Sequence, residues 1–347
     1  MVDFENRTVD QQRQLWREIA DQAMRCWHFP PQKMRWLGHG SNVVFRVTTA
    51  AAEYVLRLHP PGRVEATRLR SELRWLSLIR RDTNLAAPFP VGMLVDGREQ
   101  PFLELHHDLL PPPSVAYAAL FEFVEGEVKA ARDMSADDVY RVGAYLGVLH
   151  TDAQFNLPGD FDRPHLDWEG LFAEDSPYAS PTERALVSAE QRGILDNVAC
   201  QLREPLSKLT STPEAIGLIH ADLLAKNIVF RADSIAALDF EYCGWGFYLY
   251  DLAPLLWQLK GERASDYHVL EDAMWRGYTS IRPTAERERA LIEPFIAARQ
   301  FASIRWLLAN QQNPTLRDLA PALIAERCSE LKTFLETGVL RRASPTL

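Results

Sequence analysis

The spacing of apolar positions changes several times along the chain, and each change predicts a different element. Before about Phe29, Leu15, Ile19, Ala23 and Cys26 recur at helical spacing between Gln12, Arg17 and Gln22, the pattern of an amphipathic helix. Pro30 and Pro31 stop it. From Trp36 to His59 the spacing becomes that of strands. Val43, Val44, Phe45 and Val47 make one extended run, and Tyr54, Val55, Leu56, Arg57 and Leu58 make another. A helix is predicted over about 64–81, a tight turn at Asp96-Gly97, a surface loop over 109–114 and an apolar strand over 118–124.

After Gly126 the spacing turns helical: over about 136–151, over 182–202 with Pro205 closing that helix, and in several helices from 248 to 335. One short β insertion, 218–238, interrupts this half. The predicted fold class is therefore α+β. Residues 1–124 form a β-rich N-terminal lobe preceded by a helix, residues 125–347 a mainly helical C-terminal lobe, with a cleft between them.

Composition agrees with two lobes. The chain has 347 residues, 47% hydrophobic and 24% charged, against roughly 150 residues per domain. Its net charge of -9 lacks the basic footprint of a nucleic-acid groove and leans towards a cationic small molecule. Four scattered cysteines without a C-x-x-C pair suit a reducing compartment. The charged amino terminus and the absence of a membrane-length apolar run predict a cytoplasmic protein with no membrane partner.

The chemistry concentrates in 218–241. Two short apolar strands flank the turn Arg231-Ala232-Asp233-Ser234, so they form a hairpin. Its geometry makes Asn227 and Asp239 neighbours, with Asp222 on the loop just before them. That set suits phosphoryl transfer: Asp239 and Asn227 as Mg²⁺ ligands, Asp222 as the group that takes a hydroxyl proton. The alternative for any one of these residues is a polar turn.

In the first lobe, strand alternation puts Arg57 on the face opposite Leu56 and Leu58, while Glu72 lies within the apolar stripe Leu69, Leu73, Leu76. A buried carboxylate needs a cation, and Arg57 is the candidate. The turn Gly38-His39-Gly40-Ser41-Asn42 offers backbone N–H groups at Gly38 and Gly40, with Ser41 and Asn42 as extra donors, for phosphates. Glu122 and Val124, on the linker between lobes, can offer backbone groups to a nucleotide base. The alternatives are a structural ion pair, a plain turn and a buried strand.

The H-x-D-x-x-x-x-N spacing from His220 to Asn227, followed by Asp239-Phe240, resembles the protein-kinase-like superfamily. Only eleven residues separate Asp239 from Asp251, too few for a peptide-binding activation segment. With Val55-Leu56-Arg57, Phe123-Val124-Glu125-Gly126, Leu146-Gly147-Val148-Leu149-His150 and Tyr250-Asp251-Leu252-Ala253, the chain is similar to the aminoglycoside phosphotransferase and choline kinase family from about Trp36 to Trp306. The resemblance implies a two-lobed kinase-like fold and transfer from ATP, or GTP, with Mg²⁺, to a hydroxyl of a small molecule. It implies catalytic roles for Asp222, His220 and Asp251, with Asp251 bracing the catalytic loop. Leu224-Ala225-Lys226 departs from the family's His-Pro-Gly, and Arg57 stands where most kinases have Lys. A nucleotide-binding pseudokinase or regulator is the other class of reading.

His150 shares an apolar stripe with Val139, Val142 and Leu146 and reads as a packed core histidine. Seven acids (Asp152, Asp160, Asp162, Asp167, Glu169, Glu174 and Asp175), with Trp168, Phe172 and Tyr178, could border an ammonium-bearing acceptor or form a solvated loop whose aromatics pack inward. Trp257, Trp275, Tyr278 and Trp306 either line the pocket or belong to the helical core. The acceptor, the choice of ATP or GTP and the oligomeric state are left open by the sequence.

Overall fold

The computed structural model describes residues 8–342 except 28, 96, 109, 111–113, 153–159, 175, 177, 178, 180–185, 211, 212 and 312. The Asp96 half of the predicted turn, most of the 109–114 loop, Asp175 and Tyr178 therefore lie outside the described residues. The chain divides into two compact units. One comprises Met1–Arg81, Ala87–Val124 and Asn310–Asp318, the other Asp82–Ala86, Glu125–Ala309 and Leu319–Leu347.

The first unit is built on strands β1 (Lys33–His39), β2 (Val43–Thr48), β3 (Glu53–His59), β4 (Met93–Val95), β5 (Arg98–Gln100), β6 (Leu103–His106) and β7 (Val115–Glu122). Five of them form an antiparallel sheet in the order β1-β2-β3-β7-β6, and β4 pairs with β5. The alternation read in the sequence decides the packing. Leu56 and Leu58 join Val43, Phe45 and Val47 in a core completed by Leu15, Trp16 and Ile19 of the helix Val9–Met24. Thr8 caps that helix in a reciprocal capping box with Gln11. The helix stops at Met24, so Cys26 lies beyond it and is exposed; Trp27 is the buried residue there. The opposite face of β3 carries Arg57 towards Glu72 on the helix Ala66–Asp82.

In the second unit, strands β8 (Glu127–Val128), β9 (His165–Leu166), β10 (Ile216–Ile219), β11 (Ile228–Phe230), β12 (Ile235–Ala237) and β13 (Gly244–Phe247) form two small sheets, ordered β12-β11-β8 and β10-β13-β9. The expectation of a single β insertion is too narrow. β13 escapes detection because it is Gly-Trp-Gly-Phe, poor in β-formers. Its glycines are there for close approach: a Cβ on Gly246 would lie 2.6 Å from Ile219 Cδ1, and one on Gly244 2.5 Å from the Pro164 carbonyl oxygen.

The expected stop at Pro205 is also corrected. The helix runs Ala189–Thr210 with Pro205 inside it. The proline removes one helical hydrogen bond, but buried Val198, Leu202, Leu206 and Leu209 continue the apolar stripe past it and hold the helix together. The helices Ala136–Asp152 and Tyr267–Ile281 cross where Gly143 and Gly277 let the backbones touch; a Cβ on Gly143 would sit 2.2 Å from the Met274 carbonyl oxygen. That crossing brings His150 to Tyr278. Among the described residues, no helix is long and apolar enough to cross a membrane.

Candidate active site

The residues of the loop after β10 converge in the second unit through one carboxylate. Asp251, in the turn Tyr248–Leu252, is buried and accepts hydrogen bonds from the backbone N–H groups of His220 (2.7 Å) and Ala221. Ala221 adopts φ 68°, a left-handed conformation costly for a residue with a Cβ, and the reversal brings two consecutive N–H groups onto one acceptor. His150 Nε2 is 3.0 Å from the same carboxylate, and His150 Nδ1 is 3.1 Å from the Tyr278 hydroxyl. Burial lowers the His150 pKa, which keeps the ring neutral with Nε2–H donating to Asp251 and Nδ1 accepting from Tyr278. His150 is thus in the core as read, but it also anchors the loop brace. Its stripe could reveal the burial and not the partner.

His220 is fully buried with both ring nitrogens engaged. Nε2–H donates to the Leu238 carbonyl (2.9 Å), and Nδ1 accepts from the Asp222 N–H (3.2 Å). It therefore ties the loop residue Asp222 to the residue preceding Asp239. Asn227 completes the connection, its Nδ2 donating to the Asp222 carbonyl at 2.9 Å. The hairpin is present as read from the sequence: Ile228 pairs with Ala237, and the Leu238 N–H reaches the Asn227 carbonyl at 2.8 Å. Asp239 has φ 63° and ψ 67°, a conformation Asp tolerates better than most residues.

Sequence reasoning missed Arg299. It sits on the helix Ile292–Ala309, and its Nη2 is 2.6 Å from Asp222 Oδ1. Burial raises the Asp222 pKa; Arg299 and then Lys226 pull it down, while Asp239 pushes it up. The pair spans 77 positions, so no local pattern could signal it. Gln258 adds a second unforeseen support, accepting from the Ala225 N–H at 3.1 Å.

Asp222, Asp239 and Asn227 bring oxygen donors to one end of the hairpin, and the mutual repulsion of the two carboxylates is the kind a divalent cation relieves. Asn227 commits its amide nitrogen to the loop, which leaves its oxygen for a ligand. Among the described residues there is no group of three His, Cys, Asp or Glu able to hold a metal alone. The donor set fits Mg²⁺ that takes its remaining ligands from phosphates and water.

The first unit holds the other predicted residues. Arg57 Nη2 lies 2.6 Å from Glu72 Oε1, both buried, and the guanidinium rests over the Phe121 ring with its Nε 3.2 Å from His59 Nε2. In the turn after β1, the Gly40 N–H donates to the Asn42 carbonyl (3.0 Å), and Asn313 Nδ2 donates to the His39 carbonyl (2.7 Å). Gly38 keeps a negative φ, with open space where a Cβ would be. Asn42 is buried with its Oδ1 unpartnered, and Ser41 is the better exposed of the two. The Glu122 N–H is spent on the Phe89 carbonyl (2.9 Å), which leaves its carbonyl for a base. Val124, beyond the last strand residue, has no backbone partner among the described residues.

Of the aromatic residues near the acidic segment, Trp168 and Phe172 pack inward. Trp168 donates its indole N–H to the Ala199 carbonyl, and Phe172 is buried against Phe301. Asp167 caps the short helix Trp168–Phe172 through the Gly170 N–H. Trp257, Trp275 and Tyr278 are buried, and Trp306 is half-buried.

Comparison with known proteins places the chain among relatives. The chain is 31% identical to a homoserine kinase of Rhizobium etli over 187 residues, a match covering 52% of this chain and 53% of that enzyme. It spans about half the length of the homoserine kinases it matches. In fold, it superposes on a microcompartment-associated aminopropanol kinase with a TM-score of 0.77 at 24% identity, covering 93% of this chain and 99% of that one. An amicoumacin kinase in complex with AMP-PNP, Ca²⁺ and amicoumacin gives a TM-score of 0.76 at 18% identity, with 97% and 98% covered. The model of the phosphotransferase enzyme family matches residues 35–292. The chain belongs to that family, and its fold is protein-kinase-like.

Proposed function

We propose that the protein transfers the γ-phosphoryl group of ATP, or GTP, to a hydroxyl of a small amine-bearing molecule. The observation that carries this reading is the joined set Asp222, Asn227 and Asp239, held by His220 and Asp251 at the end of the hairpin. Asp222 accepts the acceptor's hydroxyl proton while the hydroxyl oxygen bonds to the γ-phosphorus. The bond to the β–γ bridging oxygen breaks, and the nucleoside diphosphate leaves. Arg299 holds the Asp222 carboxylate in place and favours its ionised form against the effect of burial. Mg²⁺ bound through Asn227 and Asp239 would neutralise the charge of the phosphates.

Residues 1–124 act as the nucleotide lobe in this reading. Arg57, braced by Glu72, grips phosphate as a bidentate fork. Backbone N–H groups of the turn at Gly38 and Gly40, with Ser41, cover the phosphates, and the Glu122 carbonyl and Val124 meet the base. Residues 125–347 carry catalysis and the acceptor. His220 and Asp251 act as positioning residues, since their polar atoms are spent on the loop.

The test is nucleoside diphosphate release across amino alcohols, hydroxy-amino acids, aminoglycosides, macrolides and sugars. Asp222→Asn should lose at least about 1,000-fold in kcat and retain nucleotide binding. Wild-type turnover by that variant would refute the base assignment. Tight metal–nucleotide binding without turnover of any acceptor would favour the pseudokinase reading.

A further inference from the structure

Around Trp257, on the helix Ala253–Glu262, the second unit collects three guanidinium groups. Arg342, Arg299 and Arg327 lie 3.8, 5.5 and 5.5 Å from the indole ring centroid. Each has a buried Nε–H without an acceptor. Two of the three have carboxylate partners: Arg299 holds Asp222 at 2.6 Å, and Arg342 Nε is 3.6 Å from Glu330.

Arg327 differs. Its Nη1 donates to the Ser303 carbonyl (3.0 Å), and no carboxylate among the described residues lies within ion-pair distance. Burial, then Arg342 and Arg299, lowers its pKa to about 10, with Glu330 and Glu326 opposing from farther away. It remains a cation at neutral pH. A largely desolvated cation without a counter-ion is costly, and a planar guanidinium fork is the shape that receives a carboxylate on two parallel bonds. Arg299 and Arg327 are both half-buried, neither closed off as a fully buried residue is, and the buried indole gives the corner an apolar wall.

We propose that Arg327, with Arg299 and Trp257 beside it, forms an acceptor subsite for a carboxylate, so that the substrate carries a carboxylate as well as its hydroxyl. Arg299 links this corner directly to Asp222, and the inference rests on Asp222 marking where the hydroxyl reacts. One uncompensated cation matches one negative charge, which favours a monoanionic carboxylate over a phosphate monoester.

Matched acceptors test the subsite: serine against ethanolamine, homoserine against 3-aminopropanol, with phosphoethanolamine, which has a phosphate and no carboxylate, as the phosphate arm. The expected wild-type kcat/KM favours the carboxylate member of each pair at least tenfold, and phosphoethanolamine binds no better than ethanolamine. Arg327→Gln should cost the carboxylate acceptors at least tenfold more than their partners, mainly through KM, and Arg327→Lys should recover part of the loss. Equal wild-type preference, or equal losses on both members, would overturn the proposal. A thermal-shift titration with homoserine, without nucleotide, reads binding alone. Stabilisation that Arg327→Gln abolishes would support the subsite even if no acceptor were phosphorylated, in which case the kinase reading alone would fail. No stabilisation by either carboxylate would overturn the subsite even if amino alcohols were turned over.

Discussion

Each unit of the molecule contains an arginine–carboxylate pair with the same separation, 2.6 Å, and opposite priorities. In the first, the cation is the proposed functional group and Glu72 is its brace. In the second, the carboxylate is the proposed functional group and Arg299 is the brace. Their surroundings differ accordingly. Glu72 is 1% exposed and leaves Oε2 without a partner, so its environment serves only to fix Arg57. Asp222 is 7% exposed; burial raises its pKa, Arg299 opposes that, and Asp239 adds to the rise, so the carboxylate is held between opposing influences. The same interaction therefore does two jobs, decided by which partner reaches the substrate.

Substitutions that break one partner at a time should expose this asymmetry. The largest effect is expected from Arg299→Ala, with kcat falling about 100-fold as the base loses its fixed position. Burial already raises the Asp222 pKa, so losing the cation should raise it further and shift the acidic limb of the kcat pH profile upward. Arg299→Lys should restore part of both. An unchanged limb would separate Arg299 from the base.

Glu72→Ala should weaken nucleotide binding about tenfold and destabilise the fold by about 3–5 kcal/mol, since it strands a buried cation. The double variant Arg57→Met/Glu72→Leu should regain most of that stability without regaining nucleotide affinity. Denaturant unfolding and nucleotide titration of the same samples would distinguish the two outcomes. Recovery of both would mean that the first pair is structural.

The smallest effect concerns His39, whose pKa burial, followed by Arg63, lowers to about 4. A folded-state value below the free one favours the neutral ring. Its contribution is complete above about pH 6.5 and is lost as the pH falls through about 4. With its partial exposure, the effect should be on the order of 1 kcal/mol. The Tm difference between wild type and His39→Gln, followed from pH 7 to pH 4, would show it.

Local patterns explain what could be read from the sequence. Arg57 and Glu72 are fifteen positions apart on a strand and the helix after it, where alternation and an apolar stripe define their faces. Asn227 and Asp239 follow from the symmetry of one hairpin. Arg299 and Arg327 could not be found in this way, because their partners are set by how distant helices pack. The brace by Asp251 came from the family resemblance, and its contacts have no local signature for a different reason. Two of its donors are backbone N–H groups, which every non-proline residue carries, and only the unusual turn at Ala221 directs them to it. Pro205 and β13 show packing overriding local preference, through a stripe that outlasts a missing hydrogen bond and through glycines required by close neighbours.

The bond from Asn313 to the His39 carbonyl has a consequence for how the protein is made. The glycine turn leaves the ribosome early, yet its anchor belongs to the segment Asn310–Asp318, synthesised after nearly all of the second unit. At about 5–20 residues per second, the interval between Val124 and Asn310 is on the order of ten to forty seconds. Throughout that time the turn proposed to cover the phosphates must wait without its last tether. The first unit to emerge is thus among the last to be finished, and a fragment ending at Val124 would lack a part of its own fold.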